Sequence, residues 1–583
     1  MPSRTTLAAT AQEHHEETAM PDTPPAPVPA VDGTTVDLLV VGAGTGMAAA
    51  LAGHQAGLKT LVVEKTEYVG GSTARSGGAF WIPASSLLAA EGAGDTAERA
   101  RTYVQAAVGA STTEERWLSF LEHGEETLRM LRQTTPMRFF WARGYADYHP
   151  ELPGGSAAGR TCECRPFDLS VLGSERARLR PSVMESPVPM PITGADYRWM
   201  NLFARLPRSG LPRIAKRAAQ GLGGKLIGRE YAAGGQALAG GLYAGVLRAG
   251  IPVWTRTALR RLVTDGDRVT GAVLEQDGHE VTVTARRGVV LAAGGFDHDI
   301  EQRRAHQSKH LESGWSLGSP GNTGDAIRVA QDIGADTDLL EQAWWFPAVA
   351  PLPGGSPQVL LAERALPGSL IVDGSGRRFV NEATDYMSFG QRLLERERAG
   401  DPAGPLWLVF DQQYRNSYVF AGACFPRMPL PKEWYEAGIA HRAGGAPALA
   451  RGAGLPEGAF TATLRRFNEL AAAGNDEDFH RGASAYDRYY GDPTVTPNPN
   501  LRPLTGQLHA VRVVLSDLGT CGGLRADGDA RVLRPDGAPV EGLYAIGNTA
   551  ANAFGTVYPG AGATIGQGLV YATVAARHAA GQK

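Results

Sequence analysis

Val36-Asp37-Leu38-Leu39-Val40-Val41-Gly42-Ala43-Gly44-Thr45-Gly46-Met47, running on into an alanine-rich segment to about Ala56, decides the fold of this chain. The first six residues predict a buried strand. Gly42 to Gly46 predict a tight turn into a helix, and Gly57 stops that helix. Leu58 to Val63 predict a second apolar strand ending at Glu64. Strand, glycine turn, helix and strand in this order make a dinucleotide-binding unit. Small residues let backbone N–H groups approach a pyrophosphate at a helix N-terminus, and an acid about 20 residues on accepts hydrogen bonds from a ribose. Glu64 holds that position relative to Gly44. Met47 replaces the third glycine of the usual pattern, so close helix–strand packing falls to Ala48, Ala49 and Ala50.

A second glycine- and hydroxyl-rich turn follows, Gly70-Gly71-Ser72-Thr73-Ala74-Arg75-Ser76-Gly77-Gly78. The two turns together resemble the FAD-dependent members of the fumarate reductase and 3-ketosteroid dehydrogenase superfamily, where the second turn wraps the pyrophosphate, ribityl chain and flavin edge. The resemblance implies FAD held by Gly42, Gly44, Thr45, Gly46, Met47, Glu64 and Lys65, and by Gly71, Ser72, Thr73, Ser76, Gly77 and Gly78. Later contacts are expected from Ala293 and Gly294, from Gly547 and Asn548, and from Thr564 and Ile565. No local His or Cys context supports covalent attachment, so the cofactor is expected to be non-covalent.

At 583 residues the chain exceeds one hydrophobic core. An apolar content of 43%, a charged content of 20% and a net charge of −3 describe an ordinary globular protein and argue against nucleic-acid binding. The four cysteines, Cys162, Cys164, Cys424 and Cys521, match no metal or redox spacing and read as isolated thiols. Residues 1–35, rich in Pro, Ala, Thr and Glu, read as a disordered leader. No apolar run has the length of a membrane span, and a cytoplasmic location is expected.

Beyond the first unit, two helices are expected between about 95 and 133. Residues 140–230, irregular and rich in Gly, Pro and aromatics, read as loops over a site. A helix over Gln236–Ala249 precedes three short strands punctuated by Asp265-Gly266 and Asp277-Gly278, a strong hairpin signal. Gly288-Val289-Val290-Leu291-Ala292-Ala293-Gly294-Gly295 predicts another buried strand. Gly542 to Asn548 predict a last one before a helix near Ala563. The fold expected is α/β: a discontinuous Rossmann-type FAD-binding domain (36–346 and 512–583) with an inserted α+β substrate domain (347–511).

The chemistry concentrates in three segments. Tyr558-Pro559-Gly560-Ala561-Gly562 lies just before the C-terminal helix, whose first N–H groups point at anything electron-rich. The Tyr558 hydroxyl and Gly562 N–H would form a two-donor hole for a ketone oxygen becoming an enolate. Phe554 to Gly562, after Gly547-Asn548, resembles the C-terminal signature of bacterial 3-ketosteroid Δ1-dehydrogenases. Gly144-Tyr145-Ala146-Asp147-Tyr148-His149-Pro150-Glu151 and Asn381-Glu382-Ala383-Thr384-Asp385-Tyr386-Met387-Ser388-Phe389-Gly390 resemble that family's two other tyrosine segments, although the family often has Pro in place of Asp385. Gly321-Asn322-Thr323-Gly324-Asp325 and Trp344-Trp345 add weaker agreement, and Asp325 is read as ordering its own turn.

The resemblance implies that Tyr386 takes the C2 proton of a 3-ketosteroid, Tyr148 lowers the pKa of Tyr386, and Tyr558 and Gly562 hold the ketone oxygen while the C1 hydride passes to flavin N5. An external electron acceptor, with a quinone as candidate, completes turnover. His149 reads as structural. The alternatives on the same fold are a 3-ketosteroid Δ4-dehydrogenase and a fumarate- or urocanate-type reductase. The reductase needs an arginine proton donor, and Arg377-Arg378, after a Gly-Ser-Gly turn, reads as solvated.

Overall fold

The computed structural model describes residues 23–183, 189–422 and 424–582. The main sheet has eight strands. Its parallel heart runs Val253–Trp254, Thr60–Val63, Thr34–Val41, His279–Leu291 and Pro539–Ala545. Val and Leu fill Thr34–Val41 and Thr60–Val63 because both faces are covered: Leu38, Leu39, Val40 and Val62 have no exposed surface. The helices Gly46–Gln55 and Ala563–Ala579 pack against each other, and the second also lies on Glu114–Thr134.

Two tight connections form at the Asp-Gly signals. Thr257–Asp265, Arg268–Gln276 and His279–Leu291 make an antiparallel meander, with Asp277 and Gly278 both at positive φ. The last strand is longer than the sequence suggests. Glu280–Ala285 and Gly288–Gly295 read as two strands, but one 13-residue strand, His279–Leu291, runs through both, with a register shift beside Thr34–Val41. Its first half pairs with the meander and its second half with Pro539–Ala545.

Residues 1–22 of the expected leader lie outside the described residues. The stretch from 23 to 33 is fastened to the sheet: Arg178 Nη2 donates to Ala26 O, Ala30 N to Gln276 Oε1 and Thr282 N to Asp32 Oδ1. The expectation of a disordered segment reaching residue 35 is corrected for this part. The region 140–230 also holds more regular structure than its composition suggests, including a 20-residue helix, Pro207–Leu226, with Pro212 inside its first turns.

A second, six-stranded antiparallel sheet occupies the inserted region. Leu508–Thr520 is its spine and pairs with Ala343–Val349, Leu406–Asp411 and Ala440–Ala443. This sheet therefore reaches past residues 347 and 511 at both ends. The spine continues into the nucleotide region, where Thr520 Oγ1 accepts a hydrogen bond from Phe296 N. One strand thus couples the two sheets at the site.

Candidate active site

A cleft with about 1120 Å³ of empty space lies at the C-terminal ends of the parallel strands, where open α/β sheets bind ligands. Its wall includes the expected Gly42, Gly44, Thr45, Glu64, Lys65, Gly71, Ser72, Thr73, Ser76, Ala293, Gly294, Gly547, Asn548, Thr564 and Ile565. Gly42 has φ +110, and a Cβ there would lie 2.2 Å from Ala292 O. Only glycine lets the turn leave the sheet so close to the neighbouring strand. Glu64 is oriented by Ala43 N at 3.1 Å on one oxygen and by Thr66 N at 3.0 Å on the other.

Four expected contacts are not among the lining residues. Gly46 opens the helix against Val40 and Ala292, Met47 is fully buried, Gly78 packs on the Gly234 backbone, and Gly77 is exposed. Gly46, Met47 and Gly78 thus serve packing, while Gly77 stands open at the surface. Asn322, Gly324 and Asp325 line the cleft although no cofactor role was expected of them. Asn322 Nδ2 donates to Ser72 Oγ, and Asp325 pairs with Lys65 at 2.6 Å. The signal was present in the Gly321–Asp325 run. Thr257, Leu259 and Leu518 also line it, and as ordinary strand residues they carry no signal.

Beside this cleft the three expected tyrosines converge from remote parts of the chain. Tyr148 lies in the loop after Phe139–Trp141. Its neighbour Asp147 accepts from Trp81 Nε1 at 3.0 Å and Ser156 N at 3.1 Å and is ion-paired with Arg160, which also meets Asp95 at 2.9 Å. Burial pushes the Asp147 carboxyl up to about 6 against the pull of Arg160. Tyr148 N donates to Pro559 O at 3.1 Å, stitching this loop to the segment that carries Tyr558.

Tyr386 is the first residue of the helix Tyr386–Arg398, and Asp385 caps it by accepting from Ser388 N at 2.9 Å. An aspartate here thus sets the helix start where the resembling family often uses Pro. Arg364 reinforces the approach by donating to Glu382 O and Thr384 O. Gly562 is the left-handed cap of the helix Ala563–Ala579, at φ +91. A Cβ there would lie 2.5 Å from the Ala79 backbone, so no other residue fits.

The Tyr148 and Tyr386 hydroxyls are hydrogen-bonded at 2.6 Å. Ring centroids are 5.0 Å apart for Tyr148–Tyr558 and 5.5 Å for Tyr386–Tyr558, and Trp344 packs on Tyr558 at 4.7 Å. Tyr386 and the Gly562 and Thr564 backbone lie beside the Tyr558 hydroxyl and lower its pKa. Three phenols and a helix N-terminus therefore meet in one place.

Burial dominates the acidity of all three. It pushes Tyr558 up to about 12 despite these neighbours, and Tyr148 and Tyr386 well above the ordinary phenol. The hydrogen bond from Tyr148 does lower Tyr386, as expected, but desolvation outweighs it. His149 N bonds the Tyr103 hydroxyl. Arg377 is exposed, but the Arg378 side chain is only 4% exposed and pairs with Glu382 and Asp476, correcting the solvated reading. Arg378 is thus held in ion pairs, and neither arginine lines the cleft. All four cysteines are buried thiols, and among the described residues no helix is long and apolar enough to cross a membrane.

Residues 37–565 match the family described as FAD binding domain. The chain is 43% identical over 94% of its length, and 98% of the relative's, to a 3-oxosteroid 1-dehydrogenase of Mycobacterium tuberculosis (strain ATCC 25618 / H37Rv). It is 36% identical, over 94% of its own length and 93% of the relative's, to a 4-oxocyclohexanecarboxylate 2-dehydrogenase of Sinomonas cyclohexanicum. Among solved structures, the 3-ketosteroid Δ1-dehydrogenase of Sterolibacterium denitrificans in complex with 1,4-androstadiene-3,17-dione superposes with a TM-score of 0.88 at 37% identity. That superposition covers 94% of this chain and all of the other. Fold and site define an FAD-dependent oxidoreductase. The chain belongs to the 3-oxosteroid 1-dehydrogenase family.

The residues present fit FAD. The cleft is lined by a glycine turn at a helix N-terminus and by the hydroxyls of Ser72, Thr73, Ser76 and Thr564. Phosphate and ribityl oxygens need such donors.

Proposed function

We propose that the chain introduces the C1–C2 double bond into the A ring of 3-ketosteroids. The observation that carries this is the convergence of Tyr148, Tyr386, Tyr558 and Gly562 beside the nucleotide cleft. A C–H next to a ketone is weakly acidic, so removing its proton requires the oxygen to be held as charge accumulates. The Tyr558 hydroxyl and Gly562 N–H supply that hold. Each such donor is typically worth about 3 kcal/mol of barrier.

Tyr386 then takes the C2 proton, with Tyr148 accepting or returning a proton at its oxygen. Its seat at a helix N-terminus favours negative charge on Tyr386. The packed aromatic wall of Trp344, Phe346, Tyr148 and Tyr486 excludes water. FAD, when bound, supplies the acceptor for the C1 hydrogen, and an external oxidant such as a quinone completes turnover. Among the described residues no His or Cys lines the cleft, and non-covalent retention of FAD is part of the proposal.

Tyr558→Phe tests the reading. Turnover of androst-4-ene-3,17-dione should fall by about 10²–10³-fold with FAD content unchanged. Loss of FAD instead would make Tyr558 a structural residue and defeat the assignment. The 36% identity to a dehydrogenase of a monocyclic ketone favours one rival: turnover of 4-oxocyclohexanecarboxylate but not of steroid would select it.

A further inference from the structure

We propose that Asp297 and Asn322 are positioning residues for the cofactor: they fix the Ser72 hydroxyl as a donor, aimed at a pyrophosphate oxygen of FAD. The inference needs FAD in the cleft and holds whatever the substrate is. Asp297 lies just beyond the strand His279–Leu291, and its side chain has no exposed surface. Its backbone oxygen accepts from Arg303 Nη1 at 3.1 Å, and Arg303 pairs with Asp517 at 2.8 Å. Ser316 Oγ spans the two carboxylates, 3.3 Å from Asp297 and 2.7 Å from Asp517. The Asp297 carboxylate is thus held from several sides.

Both of its oxygens accept from Asn322 Nδ2, at 3.1 and 3.2 Å. A carboxylate only accepts, so the Asn322 atom facing it is the amide nitrogen and not the oxygen. The same nitrogen donates to Ser72 Oγ at 2.9 Å, and Ser319 N donates to that oxygen at 2.9 Å. A hydroxyl has one donor and two acceptor positions. Both acceptor positions of Ser72 are filled, and its proton has no acceptor among the described residues. Ser72 lines the cleft, so that proton is free for a ligand. Gly294 leaves room for the fixed amide: at φ +81, a Cβ there would collide with Asn322 Oδ1.

The place of this donor points to phosphate. The second glycine turn stands against the first: a Cβ on Gly44 would lie 3.5 Å from Thr73 Oγ1 and 3.7 Å from Gly70 O. Gly44 itself precedes the ten-residue helix Gly46–Gln55, whose N-terminus favours a phosphate. A cofactor phosphate offers only acceptors, and a hydrogen bond to a charged oxygen is among the stronger kinds. Without Asp297 nothing decides which way the Asn322 amide faces. Turned over, it would present Oδ1 to Ser72 and take the hydroxyl proton away from the cofactor.

The test titrates FAD into stripped protein by calorimetry and records ³¹P spectra of the bound cofactor. Ser72→Ala, Asn322→Leu and Asp297→Ala should each raise the Kd for FAD at least about tenfold and move the pyrophosphate resonances. In a Ser72→Ala background, Asn322→Leu and Asp297→Ala should add no more than about twofold, because all three act on one proton. Asn322→Leu is close in volume to the native residue and carries the same cycle if Asp297→Ala fails to fold. Losses that multiply in the double variants would make Asp297 and Asn322 merely structural and overturn the proposal. So would a Ser72→Ala chain that binds FAD as tightly as wild type, or variants whose ³¹P spectra stay unchanged. A wild-type chain that takes up no FAD would instead overturn the cofactor assignment, and this inference with it.

Discussion

Tyr386 shows how burial and catalysis oppose each other in one side chain. Burial raises its pKa well above that of an ordinary phenol, and the neighbours facing it (Tyr148, Tyr145, Tyr486 and Tyr558) are phenols rather than cations. The deprotonated fraction of such a base climbs about tenfold per pH unit up to its pKa. Accordingly kcat/KM should rise with pH through the neutral range and show no plateau below about pH 10, as a steady-state pH profile would reveal. A plateau at pH 7 would mean that a different group is the base. Tyr386→Phe should cost about 10²–10⁴-fold in turnover while steroid still perturbs the flavin spectrum. The meeting of the three tyrosines was legible in the sequence because each sits in a recognisable local context. Their acidity was not: it depends on Trp344, Phe346 and Tyr486 closing over them from other segments.

Each of these side chains is aimed by its element's end. Gly562 caps a helix and is the proposed source of the oxyanion N–H, and its backbone has no room for a Cβ beside Ala79. Gly562→Ala should therefore lose activity and also destabilise the fold by about 1–3 kcal/mol, read as a lower urea midpoint with an unchanged slope. The strand Thr161–Cys164 makes an independent prediction. Glu163 is buried there with only Gly194 N at 2.8 Å to hold one oxygen, and burial pushes it up to about 8. A folded-state value above the unfolded one near 4.5 gives stability that is complete below pH 4.5 and lost as pH rises through 8. Glu163→Gln should match wild type in Tm at pH 4 and exceed it increasingly toward pH 9. The strand–turn–helix at Val36–Ala56 and the Asp-Gly turns were readable because their local chemistry allows few conformations. The helix Pro207–Leu226 was hidden by its Pro and Gly content, and tertiary contacts override that local preference, as where Gly221 lies against Pro189 O.

At the scale of the molecule, the cofactor cleft draws on segments from Val41 to Ile565, with Leu518 arriving on the spine of the second sheet. A ligand gripping parts so distant in sequence should stabilise the whole assembly. FAD at a hundredfold excess over its Kd is expected to add about 2.7 kcal/mol, seen as a raised unfolding temperature on titration into stripped protein. A flat response would place FAD elsewhere. The discontinuous layout could be inferred because the glycine motifs recur near both ends of the chain. The reach of Leu508–Thr520 from one sheet into the other could not, since nothing in a valine-rich strand says how many partners it has. The most direct check of the phenol site is anaerobic addition of androst-4-ene-3,17-dione to the FAD-loaded chain, with the product identified by mass and NMR. The account predicts bleached flavin and one equivalent of the 1,4-diene, both abolished in Tyr386→Phe. Unbleached flavin, or desaturation at any other ring position, would contradict it.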